Sequence, residues 1–148
     1  MAVSGAPTTG HGATIAFAAS GFNSQMTSIG GGESTRESIE TTNLNYAGDG
    51  KTFIPSDLID NGEKEIEFYY QRNKRPPITG LPEVITVTYP LNHSVAADGT
   101  IIVASGRATE AFLGFITNFG RPQLVSEEVQ KATATIKISG DITYTDET

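Results

Sequence analysis

The side chains able to do chemistry in this sequence are few, and their spacing works against most of what they could do. His11 and His93 are the only imidazoles. His11 lies in a Gly-rich opening stretch and His93 in a segment that reads as a turn, so neither has the rigid mount a general base or metal ligand needs. Both read as solvated side chains. Glu63, Glu65 and Glu67 share one strand face and in principle could hold Ca²⁺, but no loop has the alternating oxygen ligands of a calcium site, so a solvent face is expected. Many serines are present, yet none stands in a Gly-x-Ser-x-Gly elbow. Gly30-Gly31-Gly32 is not followed by a helix-forming run, so it lacks the helix N-terminus that binds phosphate. With no cysteine there is no thiolate metal site and no disulfide framework. The sequence therefore predicts no catalytic, cofactor-binding or metal-binding residues, no cofactor, and a protein that is not an enzyme.

Charge narrows the partners. Ten basic and 17 acidic residues give a net charge of −7, which disfavours general affinity for phosphate backbones or anionic lipid. The one basic cluster, Arg72, Lys74 and Arg75, runs into Pro76-Pro77 and reads as a solvated loop. No apolar run reaches the roughly 20 residues of a membrane helix, and no membrane binding by this chain is expected. The opening stretch has neither a charged n-region nor an apolar h-region, which argues against a secretory signal. Without such a signal, the acceptor triplet Asn92-His93-Ser94 is treated as a chance match.

The elements that would have to position any site are strands. Val129 to Thr145 is the strongest: Ala132, Ala134, Ile136 and Ile138 alternate with Lys131, Thr133, Thr135 and Lys137, then Ile142 and Tyr144 with Thr143 and Thr145. One face is apolar, and β-branched Thr and Ile suit a sheet. A strand this long would outreach a small domain, so a bend or break is expected at Gly140. Further strands are predicted at Thr14–Ala18, Gln25–Ile29, Arg36–Leu44, Glu63–Gln71, Val84–Tyr89 and Thr100–Ala104. Ala108 to Ile116 also fits a helical stripe, but Gly106, Gly114 and its aromatic residues favour a strand. The core should hold Ile15, Phe17, Ile66, Phe68, Phe112, Ile136 and Ile138.

Between these strands, Gly30-Gly31-Gly32 reads as free backbone, Asn45 to Thr52 as a loop, Pro55 to Gly62 as one helical turn, and Asn92 to Gly99 as a turn. Arg72 to Pro82 holds three prolines and excludes a helix. Residues 1–12 read as a flexible N-terminal arm and residues 13–148 as one domain, which 148 residues suffice to build. Seven or eight short strands punctuated by Gly and Pro argue for a mainly β fold, an antiparallel sandwich or partial barrel with at most a short helical turn.

In order, TRESIETT (Thr35–Thr42), FIPSDLIDNGE (Phe53–Glu63), EIEFYY, EVITVTYP, the run ending FLGFITNFG, and KATATIKISGDITYT together resemble the major tail tube proteins of long-tailed (siphovirus-like) bacteriophages. The resemblance spans about Gly12 to Thr145. It implies a β-sandwich subunit, six-membered rings, and rings stacked into the hollow tube through which the genome is ejected. It further implies contacts with copies of itself, with a tape-measure protein and with tail terminator or baseplate proteins. Double-stranded DNA would pass without specific binding, and the protein would reside in the virion tail after synthesis in the host bacterial cytoplasm. One departure is visible: relatives often place a helix where this chain has the proline-rich Arg72–Pro82, so that helix should be short or absent.

Two surfaces follow as expectations. The stretch Asn43 to Gly62 is longer than a hairpin needs, and Asn43, Tyr46, Asp49, Lys51, Phe53, Asp57 and Asp60 are candidates for contact between rings. The strand from Arg36 is polar on both faces, so Arg36, Ser38, Glu40 and Thr42 are candidates to line a water-filled bore. The alternative reading is a sandwich module that decorates a virion or binds a receptor.

Overall fold

A computed structural model describes residues 10–91, 93–103 and 106–146. Among the described residues every regular element is a strand. They are β1 (Thr14–Phe17), β2 (Met26–Ile29), β3 (Thr35–Glu40), β4 (Phe53–Asp60), β5 (Glu63–Tyr69), β6 (Glu83–Thr88), β7 (His93–Val95), β8 (Ile101–Val103), β9 (Thr109–Gly120) and β10 (Lys131–Thr145). Six form one antiparallel sheet in the order β1-β6-β9-β10-β5-β2, while β3-β4 and β7-β8 are separate two-stranded sheets.

The long strand β10 is central, paired with β5 along its first half and with β9 along most of its length. Its alternation sorts the sheet: Ala132, Ala134, Ile136 and Ile138 are buried, and so are Ile66 and Phe68 of β5, Phe112 and Ile116 of β9, Ile85 and Val87 of β6, and Ile15 and Phe17 of β1. The sheet curls over these side chains into a half-barrel rather than stacking as two separate layers. Gly114 sits on the inward side of β9, where a Cβ would meet Ile136 Cγ2 at 3.0 Å and Ile85 Cδ1 at 3.2 Å, so its missing side chain makes room for both isoleucines.

β10 does not break at Gly140. The register shifts between Ser139 and Ile142, and Gly140 takes φ 81°, so a bulge bends the strand while it stays paired with β9.

The curl is closed at one end by a loop. Buried Glu83 accepts hydrogen bonds from the Ser20 amide (3.1 Å) and hydroxyl (3.0 Å), and the Phe22 amide donates to Ser20 Oγ at 3.3 Å. These bonds seat Phe22 edge-on against Phe17 and Phe68, with ring centroids 5.3 and 5.5 Å away.

Several sequence expectations change. The segment read as a helical turn is β4. Pro55 lies opposite Ser38 beside a register shift, in a two-stranded sheet where a missing N–H is tolerated, and Ser56 Oγ accepts from the Leu58 amide at 3.3 Å within that irregularity. Ser56 thus does a cap's chemistry without a helix. The stretch read as the turn Asn92–Gly99 is narrower: His93–Val95 is strand, and the turn is Ala96–Thr100, closed by Ala96 N to Thr100 O at 2.8 Å. Asn92 and Ala104 lie outside the described residues. Arg72–Pro82 contains no helix; Pro76 is buried and Gln71 bridges Lys74.

Candidate assembly surface

The feature with no internal explanation is the β3-β4 hairpin. Among the described residues it pairs only with itself, and every residue of β3 is exposed, as is every residue of β4 except the partly covered Ser56. Directly opposed residues share a face, so Ile39 and Ile54 form an apolar pair on one side, while Glu40 with Phe53 and Ser38 with Pro55 occupy the other. Phe53 is 55% exposed and Leu58 81% exposed, large apolar surfaces that a finished structure normally covers. An isolated two-stranded hairpin is marginal in water, and this one has two free edges.

Its two roots are nevertheless fixed to the half-barrel. On the incoming side, the Gly30 amide donates to Glu65 O at 2.7 Å, and a Cβ on Gly30 would meet that same oxygen at 2.7 Å. Gly32 turns the chain at φ 75°, its missing Cβ position lying 3.0 Å from Glu63 O. Gly30 and Gly32 are therefore close contacts, not the free backbone expected from sequence, while a Cβ on Gly31 would meet nothing. On the outgoing side, Gly62 N donates to Asp60 Oδ1 at 2.8 Å and Asn61 Nδ2 to Gly140 O at 2.6 Å. Lys137 pairs with Asp60 at 3.3 Å. The Gly62 amide first, and Lys137 second, hold the Asp60 carboxyl below its ordinary pKa.

The root also draws on the core. Lys64 is 2% exposed, and its ammonium pairs with Glu110 at 3.1 Å while donating to Gly31 O at 2.7 Å and Gly30 O at 3.3 Å. The Tyr89 hydroxyl donates to Glu110 Oε2 at 2.7 Å. That bond, with burial and the glutamate charge behind it, pushes the Tyr89 phenol up to about 12. Lys64 also lies 5.9 Å from the Phe112 ring centroid. Beside it, a cleft of about 280 Å³ opens between the two edges of the half-barrel, lined among others by Ala13, Met26, Ile29, Val87 and Tyr89.

The residues expected at contacts between rings fall into two groups. Asn43, Tyr46, Asp49 and Lys51 lie at the hairpin tip, where the Asn45 amide donates to Asn43 Oδ1 at 3.0 Å and the Tyr46 amide to Asn43 O at 3.1 Å. Phe53 and Asp57 lie along β4, and Asp60 at the root. Eight residues at about 3.3 Å each separate root from tip by roughly 25 Å. Of the residues expected to line a bore, Ser38 and Glu40 are exposed on the Phe53 side. Arg36 Nε donates to Ser56 O, and among the described residues Arg36 forms no ion pair. Thr42 Oγ1 accepts from the Thr52 amide at 2.7 Å and closes the neck of the tip. Lys64, Glu110 and Tyr89 were not singled out by the sequence reading, although Lys64 shares the parity of Ile66 and Phe68, and Glu110 that of Phe112.

No protein-family model and no curated protein sequence matches the chain. Solved structures do. A chain of the cryo-EM structure of an extracellular contractile injection system, the PVC sheath/tube terminator in the extended state, matches with TM-score 0.66 and 11% identity over 97% of this chain and 100% of that one. A chain of the PVC sheath-tube complex matches with TM-score 0.67 and 12% identity over 94% and 91%. A chain of the anti-feeding prophage baseplate, 6-fold symmetrised, matches with TM-score 0.59 and 10% identity over 95% and 97%. The first two come from an extracellular contractile injection system, so the likeness does not single out long-tailed phages. With its curled antiparallel sheet, projecting hairpin and absence of helix among the described residues, the chain has the all-β half-barrel fold of tail-tube-type proteins.

Proposed function

We propose that this protein is the structural subunit of a tail tube, closing into six-membered rings that stack into a hollow conduit for genome ejection. The observation that carries the reading is the β3-β4 hairpin: rooted in the half-barrel, carrying the apolar pair Ile39 and Ile54 on one face, and left uncovered by the described residues of its own chain. A second copy would pair its free edges and bury Ile39 and Ile54. Head-to-tail contacts related by a rotation close into a ring, which removes the edges β1 and β2 leave open at the mouth of the half-barrel.

In this arrangement the hairpin tip, with Asn43, Tyr46, Asp49 and Lys51, reaches the adjacent ring. Ser38 and Glu40, with Arg36 nearby, face the bore, and Thr42 supports the tip. A bore that passes duplex DNA must not hold it, and a chain of charge −7 supplies few phosphate contacts. Tape-measure, terminator and baseplate proteins would meet the tube inside and at its ends, in a virion or a virion-like particle. The test is assembly: purified protein should pass from monomer to tubes as concentration rises, and Ile39→Asp with Ile54→Asp should remain a folded monomer.

A further inference from the structure

The Lys64–Glu110–Tyr89 cluster lies apart from the exposed hairpin, and nothing in the proposed assembly surface requires a charge in the core. A buried lysine is a costly way to fill an inward strand position that Met or Leu would fill more simply. Its bonds show what the charge adds. An ammonium has three donors, and here one meets Glu110 while the others meet the carbonyls of Gly31 and Gly30, the segment joining β2 to β3. Glu110 is satisfied in turn by the Tyr89 hydroxyl, and no buried side-chain polar atom among the described residues lacks a partner.

The geometry of the incoming root gives those carbonyl bonds a direction. Gly30 is flush against the backbone of Glu65, and Gly32, where the chain turns outward, lies with its Cβ position 3.3 Å from Lys64 Cγ. Lys64 thus holds the last residues before the turn from below while β5 holds them from the side. Resting on the reading of β3-β4 as an assembly arm, we infer that Lys64 is a positioning residue: it fixes the angle at which the hairpin leaves the half-barrel, and Glu110 with Tyr89 serve to keep its charge buried. The cluster is dispensable for the fold and required for presenting the arm.

The double variant Lys64→Met with Glu110→Leu removes both charges and keeps the volume, a replacement a core tolerates. It should unfold cooperatively at close to the wild-type temperature. Hydrogen exchange of amides in residues 30–40 should accelerate at least tenfold, and the concentration needed for polymers should rise at least tenfold. Tyr89→Phe, which keeps the Lys64–Glu110 pair and the Lys64 donors on Gly30 and Gly31, should keep wild-type protection over residues 30–40. The inference is overturned by a double variant that does not fold, by one that folds with unchanged protection and assembly, or by a Tyr89→Phe protein that loosens the hairpin as much as the double variant. Should wild type itself form no polymers, the assembly reading fails, while the exchange comparison still decides whether Lys64 positions the hairpin.

Discussion

Lys64 on β5 and Glu110 on β9 are separated in the sheet by the whole of β10, yet their charged groups meet at 3.1 Å above the Phe112 ring. Only a sheet curled strongly about its core brings them together, so this pair is a direct consequence of the half-barrel. It also makes the core sensitive to losing one partner.

Lys64→Met alone should therefore be far worse than its volume suggests. It leaves Glu110 charged and buried, a loss of about 3–5 kcal/mol by the usual cost of breaking a buried pair. Urea unfolding checks this; a loss under about 1 kcal/mol would mean that the carboxylate reaches water.

Tyr89 gives the pH dependence a sign. Its phenol is raised from 10.0 to about 12, chiefly by donating to Glu110, so the folded state holds the proton more tightly than the unfolded chain. The stabilisation is complete below about pH 10 and is lost as pH rises through about 12. Thermal unfolding followed across that window should show stability falling with pH in wild type, and a shallower fall in Tyr89→Phe.

Ile136 is fully buried in the middle of β10, between Lys64 on one side and Ile116 on the other. Ile136→Val should cost about 1 kcal/mol, whereas Ile136→Asp should unfold the protein by burying an unpaired charge. A folded, cooperative Ile136→Asp protein would mean that the inward face of β10 is not the core.

What the sequence discloses, and what it conceals, follows from which interactions are local. The period-two alternation of β10 coincides with its buried face because pleating alone alternates side chains. Lys64 and Glu110 stand on the buried parity of their strands with opposite charges, a signal legible in the sequence. The curl that joins them depends on register between strands distant in sequence, which no local pattern carries. β4 is hidden differently: Pro55, Ser56 and Asn61-Gly62 carry the signals of a short helical turn, but in the fold they serve a strand irregularity and a tight exit. Gly30-Gly31-Gly32 looks like slack, and only the nearness of Glu65 to Gly30 and of Glu63 to Gly32 shows contacts there.

Deleting Ala47 to Lys51 should separate folding from assembly. The neck below this tip is closed by Thr41 N to Thr52 O at 2.8 Å and Thr52 N to Thr42 Oγ1 at 2.7 Å, so β3 and β4 should stay joined. Unfolding should be nearly unchanged and stacking of rings abolished. Normal tubes from this deletion would remove the tip from the contact between rings.

Electron microscopy of the purified wild-type protein across a concentration series tests the central claim most directly. Six-fold rings and hollow tubes with an open central channel, appearing above a threshold concentration and absent when Ile39 and Ile54 are both changed to Asp, are the predicted result. A monodisperse monomer at every concentration, with no rings or tubes, would contradict it.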